Sequence, residues 1–233
     1  MNSTPGKKNI TSDCLKWIAV ITMVIDHIGA AILEKTYFFL SADIQKADFL
    51  FRKIGRLSFP IFCFLLVEGF YHTRSRKKYL VNILLFAVIS EIPFEAAFFD
   101  RLVWGFRNVY WTLAIGLLMM ILLENLKETE WVHKELYSFL LVGGAALLSG
   151  LLQTDYPAVG VLLVYILYKT RTERKKQCIL GAIAMSYEIT APLSFLLIYF
   201  YNGQRKQKRF KYFFYLFYPL HLFVLYKIRI MIT

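Results

Sequence analysis

The stretch LKWIAVITMVIDHIGAAIL, residues Leu15–Leu33, decides the fold class. It is almost entirely apolar, and its length approaches the 20 or so residues that an α-helix needs to cross a hydrocarbon core of about 30 Å. No A-x-A-like cleavage site follows it. We therefore expect a retained membrane helix and not a cleaved signal peptide.

Similar apolar runs recur along the rest of the chain. They cover Leu57–His72, Tyr79–Phe98, Asn108–Leu126, Leu136–Leu152, Tyr156–Tyr168, Cys178–Tyr201 and Phe213–Ile232. The composition agrees, because 58% of the residues are hydrophobic, whereas soluble domains contain roughly 45–50%. The sequence therefore predicts an all-α, polytopic integral membrane bundle of about eight or nine segments. We expect residues 1–233 to form one transmembrane domain in the plasma membrane.

The positive charge is distributed as in a membrane protein and not as in a nucleic-acid-binding protein. The formal net charge is +12, but the basic residues stand in short clusters between the apolar runs. Three such loops, Thr73–Lys78, Lys169–Gln177 and Asn202–Tyr212, carry four, five and five bases. The positive-inside rule assigns all three to the cytoplasm. The N-terminal tail, residues 1–12, is then also cytoplasmic, and the loop Glu34–Arg56 is outside.

One run conflicts with a simple alternation of crossings. If Cys178–Tyr201 crossed the membrane once, the basic loop after it would lie outside. Glu188 and Pro192 interrupt this run near its middle. We therefore predict two short segments, about Cys178–Glu188 and Ala191–Tyr201, that return the chain to the cytoplasm, since protein-buried segments of this kind are tolerated at membrane depth.

The first apolar run also carries ionisable side chains, which are expensive in a bilayer and are functional candidates by default. Lys16 and His27 are eleven residues apart, so they share a helix face and are separated by roughly 16 Å along the axis. A cation at the cytosolic rim suits a phosphate, and a deeper imidazole suits a general base or an acyl acceptor. Asp26 lies about 100° around the helix and is expected to orient a neighbour.

Other charged pairs recur at helical spacing. Glu68 and His72 are four residues apart and can tune a base, although His72 stands at a cytoplasmic end. Glu91 and Glu95 are also four apart and can share a proton, bind a cation or pair with Arg56. For both pairs, structural ion pairing and catalysis remain open alternatives.

Three further polar residues complete the candidate site. His221, beside a proline in the last run, is the second imidazole candidate, with Glu188 as a possible partner for a buried base. Asn108 offers neutral hydrogen bonds at an outer helix end. The three cysteines lack metal-ligand spacing, and no phosphate-loop, dinucleotide, nucleophile-elbow or zinc-protease motif occurs. We expect neither a metal nor a nucleic-acid partner.

Several of these residues belong to stretches that resemble the TraX family. The matching stretches, in chain order, are Leu15–Ala19, Ile25–Gly29, Gly55–Phe62, Val67–Phe70, Ser90–Glu95, Asn108–Gly116 and Phe217–His221. The resemblance covers most of the chain. The family's named member N-acetylates the pilin of a conjugative plasmid, and the family resembles larger membrane acyltransferases that carry an Arg-x10-His pattern on the first helix. Lys16 and His27 match this spacing, with Lys in place of Arg.

The resemblance implies acetyl-CoA as the donor and His27 as the central catalytic residue. Together with the residue analysis, it predicts a membrane acyltransferase whose catalytic group is supported by Asp26, Glu68, Glu91 and His221. Lys16, Arg56 and Asn108 are the expected donor-binding residues. The acceptor, a protein or a glycan, is open. Two alternatives remain: a proton-coupled transporter, which also needs buried Asp, His and Glu, and a non-enzymatic partner in the assembly of a surface structure.

Overall fold

Helices account for the regular structure throughout the part of the chain that the computed structural model describes, which comprises residues 9–37, 41–99, 105–128, 132–204 and 211–232. The predicted all-α class is therefore confirmed. The helices are α1 Ser12–Ile28, α2 Ala42–Gly55, α3 Ser58–His72, α4 Arg76–Phe98, α5 Val109–Lys127, α6 Lys134–Leu151, α7 Ala158–Lys169, α8 Arg174–Ala184, α9 Ser194–Tyr199 and α10 Lys211–Ile232. A π-helical segment, Gly29–Tyr37, extends α1, and a short 3-10 turn, Ala191–Leu193, precedes α9.

Five described helices are long and apolar enough to cross a membrane. They are Ser12–Tyr37, which joins α1 to its π-helical extension, and α4, α5, α6 and the Phe213–Ile232 part of α10. They indicate a multi-pass membrane protein. By contrast, α3 and α7 have only 15 and 12 residues, so helix length alone supports fewer crossings than the eight or nine segments that we predicted.

Polar caps mark several helix starts in the sequence. Thr11, Ser41 and Ser75 each accept a hydrogen bond from a backbone N–H three residues later, at 3.3, 3.2 and 3.2 Å. The side chain of Asn108 accepts one from the Tyr110 N–H at 3.1 Å. These bonds satisfy backbone donors that the first helical turn leaves unpaired.

The core lies where α3 and α5 meet their neighbours. Helix α3 packs on α1, α7 and α9, and α5 packs on α4, α6 and α7, while α10 lies along α4. Phe59, Phe64 and Phe70 of α3 are almost fully buried. Most apolar side chains of α6 are instead exposed, for example Phe139 and Leu147, as expected for a lipid-facing helix at the edge of the bundle.

The run Cys178–Tyr201 folds back on itself, as predicted. Helix α8 descends from the basic loop, the chain turns at residues 185–190, and α9 returns. Gly181 lets the two arms pack closely, because a Cβ there would lie 2.2 Å from the ring of Phe195. Tyr201 then forms a β-bridge with Ile10, just before α1 begins. Both ends of this hairpin therefore lie at the same end of the bundle as the start of α1.

The segment Glu34–Arg56, which we predicted to be an outer loop, is partly helical. Helix α2 covers Ala42–Gly55 and packs against α1 and its π-helical extension. Its sequence contains too many charged residues to be recognised as a membrane segment. Two predicted features, the N-terminal tail and the basic loop Asn202–Tyr212, lie partly outside the described residues, at positions 1–8 and 205–210.

Candidate functional site

Two imidazoles meet between the first and last helices. Nδ1 of His27 lies 2.7 Å from Nε2 of His221, and the two rings are nearly parallel, with an interplanar angle of 6°. His221 is buried, whereas His27 is only partly buried. The edges of Phe98 and Tyr218 flank His27, with centroids 5.2 and 5.9 Å away. The sequence analysis identified the two histidines as separate candidates, and the fold brings them together in one hydrogen-bonded pair.

The backbone fixes the direction of this hydrogen bond. Nδ1 of His221 lies 2.8 Å from the carbonyl oxygen of Phe217. A carbonyl only accepts, so Nδ1 of neutral His221 carries the proton and its Nε2 is an acceptor. In a neutral pair, Nδ1 of His27 is then the donor, which leaves a lone pair on Nε2 of His27. The arrangement holds His27 in the tautomer that a general base requires.

Asp26, next to His27, forms an ion pair with α2. Nη1 of Arg52 donates to Oδ2 of Asp26 at 2.6 Å, and both side chains are mostly buried. The other oxygen of Asp26, Oδ1, is buried without a hydrogen-bond partner. Gly55 allows the close contact between the helices, because a Cβ at this position would lie 2.1 Å from the Cβ of Asp26. Asp26 thus fixes α2 against α1, one residue away from the imidazole pair.

Arg56 connects three parts of the chain beside this ion pair. Its Nη1 donates to the hydroxyl of Tyr156 at 3.3 Å, and its Nε lies 3.5 Å from Oε1 of Glu188 at the tip of the hairpin. The ring of Tyr156 stacks on Phe59, with centroids 3.6 Å apart. Arg56 therefore pairs with Glu188, whereas the sequence suggested Glu91 or Glu95 as its partner.

Asp155, in the turn between α6 and α7, lies in the same electrostatic environment. The protein packed around this exposed residue disfavours the charged carboxylate, and the negative charge of Asp26 adds to this effect. Together they raise its pKa to about 6, although Arg56 and Arg52 act in the opposite direction. The charge of this turn therefore changes near neutral pH.

Glu68 belongs to a separate cluster at the end of the bundle that carries the basic loops, which we predict to face the cytoplasm and call the inner end. It is buried and lies 3.0 Å from Nε of Arg171, 4.0 Å from Arg174 and 3.6 Å from His72. Along α3 it is twelve residues from Arg56, which corresponds to about 18 Å. The guanidinium groups of Arg171 and Arg174 also lie over the rings of Tyr71 and Phe64. Structural ion pairing therefore describes Glu68 and His72 better than direct contact with His27.

Lys16 lies near the same inner end. Its ammonium is 2.9 Å from Asp13 and 5.4 Å from the centroid of the Phe214 ring. On α1 it is eleven residues from His27, so the predicted separation of about 16 Å along the helix holds. A donor phosphate at Lys16 would have to share this cation with Asp13.

Glu91 and Asn108 contact each other at the outer end and not the imidazole pair. The amide nitrogen of Asn108 donates to Glu91 at 2.9 Å and to the carbonyl oxygen of Ala87 at 2.8 Å. Glu91 also accepts from the indole of Trp111 and lies 3.9 Å from Arg107. These contacts tie α4 to α5. Roles of Glu91 in catalysis and of Asn108 in donor binding remain predictions.

Sequence reasoning missed Arg52, Tyr156 and Asp155. Arg52 stood in a stretch that we read as a loop, so no helical register connected it with Asp26. Tyr156 and Asp155 become recognisable only when the turn between α6 and α7 is placed beside α2. Within the described ranges, no three His, Cys, Asp or Glu side chains converge in a way that would hold a metal ion.

The fold and site define a class: a multi-pass helical membrane protein with a hydrogen-bonded imidazole pair set among ion pairs. Residues 11–229 match the family described as TraX protein, and the chain belongs to this family. It is also 32% identical, over 91% of its length and 92% of the relative's, to the probable fimbrial assembly protein FimC, serogroup H1, of Dichelobacter nodosus. No solved structure matches the chain.

Proposed function

We propose that this protein is an acyltransferase of the plasma membrane, which transfers an acetyl group from cytoplasmic acetyl-CoA to an amine or hydroxyl of a membrane or cell-surface acceptor. The observation that carries the proposal is the directed chain from His27 through His221 to the carbonyl of Phe217. It leaves a basic nitrogen on a partly exposed imidazole. Membership of the TraX family supports the same chemistry.

The donor would supply an activated thioester, and the residues of the chain would supply proton transfer and binding. Nε2 of His27 accepts the proton of the acceptor's N–H or O–H group as the nucleophile attacks the acetyl carbon. The new C–N or C–O bond forms, the C–S bond breaks, and the imidazolium returns its proton to the departing sulfur. His221 holds the imidazole in the productive tautomer throughout.

The basic inner end fits the phosphates of such a donor. A depression of about 470 Å³ is lined there by Arg174, Lys175, Lys176, Ile179, Leu180 and Glu173. Lys16 would contribute from the start of α1. In the predicted topology, these cations and His27 would lie on opposite sides of the membrane midplane, so a long, extended donor suits them better than a compact one. We further propose that the short α3 and α7, together with the two arms of the hairpin, α8 and α9, complete the predicted set of eight or nine membrane segments.

The deciding experiment measures acetyl-CoA turnover by the purified protein in nanodiscs, as thiol release and as change in intact-protein mass. His27→Ala should reduce release by about 10²- to 10⁴-fold, the usual contribution of a general base. His133→Ala is the matched control, because His133 is exposed before α6, and it should retain the wild-type rate. Normal turnover by the His27 variant would refute the mechanism.

A second candidate function is favoured by the relative's name. A probable fimbrial assembly protein suggests that this chain assists assembly as a non-enzymatic partner, in which case the buried ion pairs would only hold the helices together. Assembly of a surface structure that survives His27→Ala, with no acetyl-CoA turnover in the wild type, would favour this alternative. Solute uptake driven by a pH gradient in proteoliposomes would instead favour the proton-coupled transporter.

A further inference from the structure

Pro219 interrupts the backbone hydrogen bonds of α10 two residues before His221. A proline has no N–H, so Pro219 cannot donate to the carbonyl oxygen of Tyr215, its partner in a regular α-helix. Phe217 lies between these two residues, and its carbonyl oxygen is the acceptor that orients Nδ1 of His221. The turn that directs the imidazole pair is therefore a turn of α10 in which proline removes a backbone donor.

A side chain of another helix replaces the missing donor. The hydroxyl of Tyr110, in the first turn of α5, donates to the carbonyl oxygen of Tyr215 at 3.1 Å and lies 3.5 Å from that of Phe214. Tyr110 is only 8% exposed. Removal of one partner from a buried hydrogen bond leaves the other without its bond, which costs free energy. The hydroxyl of Tyr110 therefore stabilises the turn of α10 that contains Phe217.

The ring of Tyr110 contacts the same turn through Tyr218. The two rings meet edge to face, with centroids 5.1 Å apart. The ring of Tyr218 in turn lies 5.6 Å from the centroid of His221 and 5.9 Å from that of His27. Contacts of this geometry between aromatic rings are favourable. Tyr110 is thus connected to the imidazole pair by its hydroxyl, through the backbone of α10, and by its ring, through Tyr218.

Polar contacts between α4 and α5 hold Tyr110 in place. The side chain of Asn108 accepts a hydrogen bond from the backbone N–H of Tyr110 at 3.1 Å. The amide nitrogen of Asn108 donates to Glu91 and to the carbonyl oxygen of Ala87. The start of α5 is therefore fixed against α4, and Tyr110 is presented to α10 from this fixed helix end.

We propose that Tyr110 is a positioning residue for His27. Its hydroxyl replaces the hydrogen bond that Pro219 removes, and it thereby fixes the turn of α10 that sets the tautomer of the imidazole pair. The assignment rests on the proposed function, in which Nε2 of His27 is the general base. Asn108 supports Tyr110 by capping α5.

The first test measures the tautomer of His27 in the full-length protein, in nanodiscs and without acetyl-CoA. Nitrogen-15 NMR of labelled histidine distinguishes protonated from unprotonated ring nitrogens, and His27→Ala identifies the signals of His27 by their loss. At about pH 8, where ordinary imidazoles are neutral, the wild type should show a protonated Nδ1 and an unprotonated Nε2. Tyr110→Phe, which removes only the hydroxyl, should show a mixture of both tautomers.

A control variant removes a hydroxyl from α10 itself. Tyr226 lies in this helix beyond His221, and Tyr226→Phe should keep the tautomer of the wild type. The melting temperature of each variant checks that it is folded. A folded Tyr110→Phe variant that keeps the single tautomer would overturn the proposal, as would a mixture of tautomers in the wild type.

Steady-state kinetics separate the positioning role from the proposed function. In Tyr110→Phe, kcat should fall about tenfold, which corresponds to about 1.4 kcal/mol in the barrier, and KM for acetyl-CoA should not change. Turnover by the wild type, with an unaltered tautomer and an unaltered kcat in Tyr110→Phe, would refute only the positioning role. A tautomer that changes in Tyr110→Phe, without any turnover by the wild type, would support the positioning of His27 and count against acyl transfer.

A double-mutant cycle tests the part played by the proline. Pro219→Ala restores an N–H that can donate to the carbonyl oxygen of Tyr215. The effects of Tyr110→Phe on the tautomer and on the melting temperature should therefore be smaller in the Pro219→Ala background than in the wild type. Equal effects in the two backgrounds would show that the hydroxyl does not replace the missing bond, and would overturn the proposal.

Discussion

Replacing His221 tests the directed imidazole pair most directly. In His221→Phe, a ring of similar size fills the space, and its stacking on Phe217, now 5.1 Å between centroids, can persist. The Nδ1–H of His27 then loses its acceptor and the tautomer is no longer fixed. Loss of a buried hydrogen-bond partner costs about 1–3 kcal/mol, and each 1.4 kcal/mol in the barrier is tenfold in rate.

We therefore expect kcat for acetyl transfer to fall by about 10- to 100-fold in His221→Phe, with little change in KM for acetyl-CoA, because the proposed site for the donor's phosphates is at the other end of the bundle. His221→Gln offers a carbonyl oxygen to His27 and should recover most of the rate. Steady-state kinetics in nanodiscs, with the melting temperature as a check on folding, measure both effects. A folded Phe variant with the wild-type kcat would refute the role of His221.

Two further predictions concern stability. Gly55→Ala places a methyl group against Asp26, so overpacking should cost about 1–3 kcal/mol and lower the melting temperature. Gly144→Ala is the control, because the space around Gly144 is open, and it should be neutral or slightly stabilising. Equal melting temperatures for the two variants would contradict this packing. In the folded protein the pKa of Asp155 is about 6, above its ordinary value of 3.8. Between these two values the folded protein keeps a proton that the unfolded chain releases. The free energy of unfolding should therefore fall as pH rises from about 4 through 6. Asp155→Asn should flatten this part of the melting-temperature profile, and an unchanged slope would exclude Asp155 as its source.

Sequence reasoning worked where a single local signal decided the structure. Glu188 and Pro192 interrupted an apolar run flanked by basic loops, and the hairpin of α8 and α9 is found there. It was less successful with α2. This helix lacks an apolar run, and the Arg52–Asp26 ion pair, 26 residues apart in sequence, helps to hold it against α1.

In the candidate site, too, local sequence signals identified residues but not their contacts. His27 and His221 were recognisable as imidazoles in apolar runs, but nothing in either run indicates that they touch. Glu68 and Glu91 were predicted to support the same site as the histidines, because the sequence does not reveal which helix a carboxylate in an apolar run faces. Their arginine and amide partners, found only in the fold, assign them to the two ends of the bundle.

The imidazole pair also orders the events of biosynthesis. His27 and His221 are 194 residues apart, so His27 emerges from the ribosome well before His221. Contacts between such distant residues form late, because the intervening chain must first be placed. A growing chain already inserted through α1 therefore exposes a histidine whose tautomer is not yet set. Helix α10 supplies the acceptor that sets this tautomer, so a product truncated before α10 cannot assemble the pair.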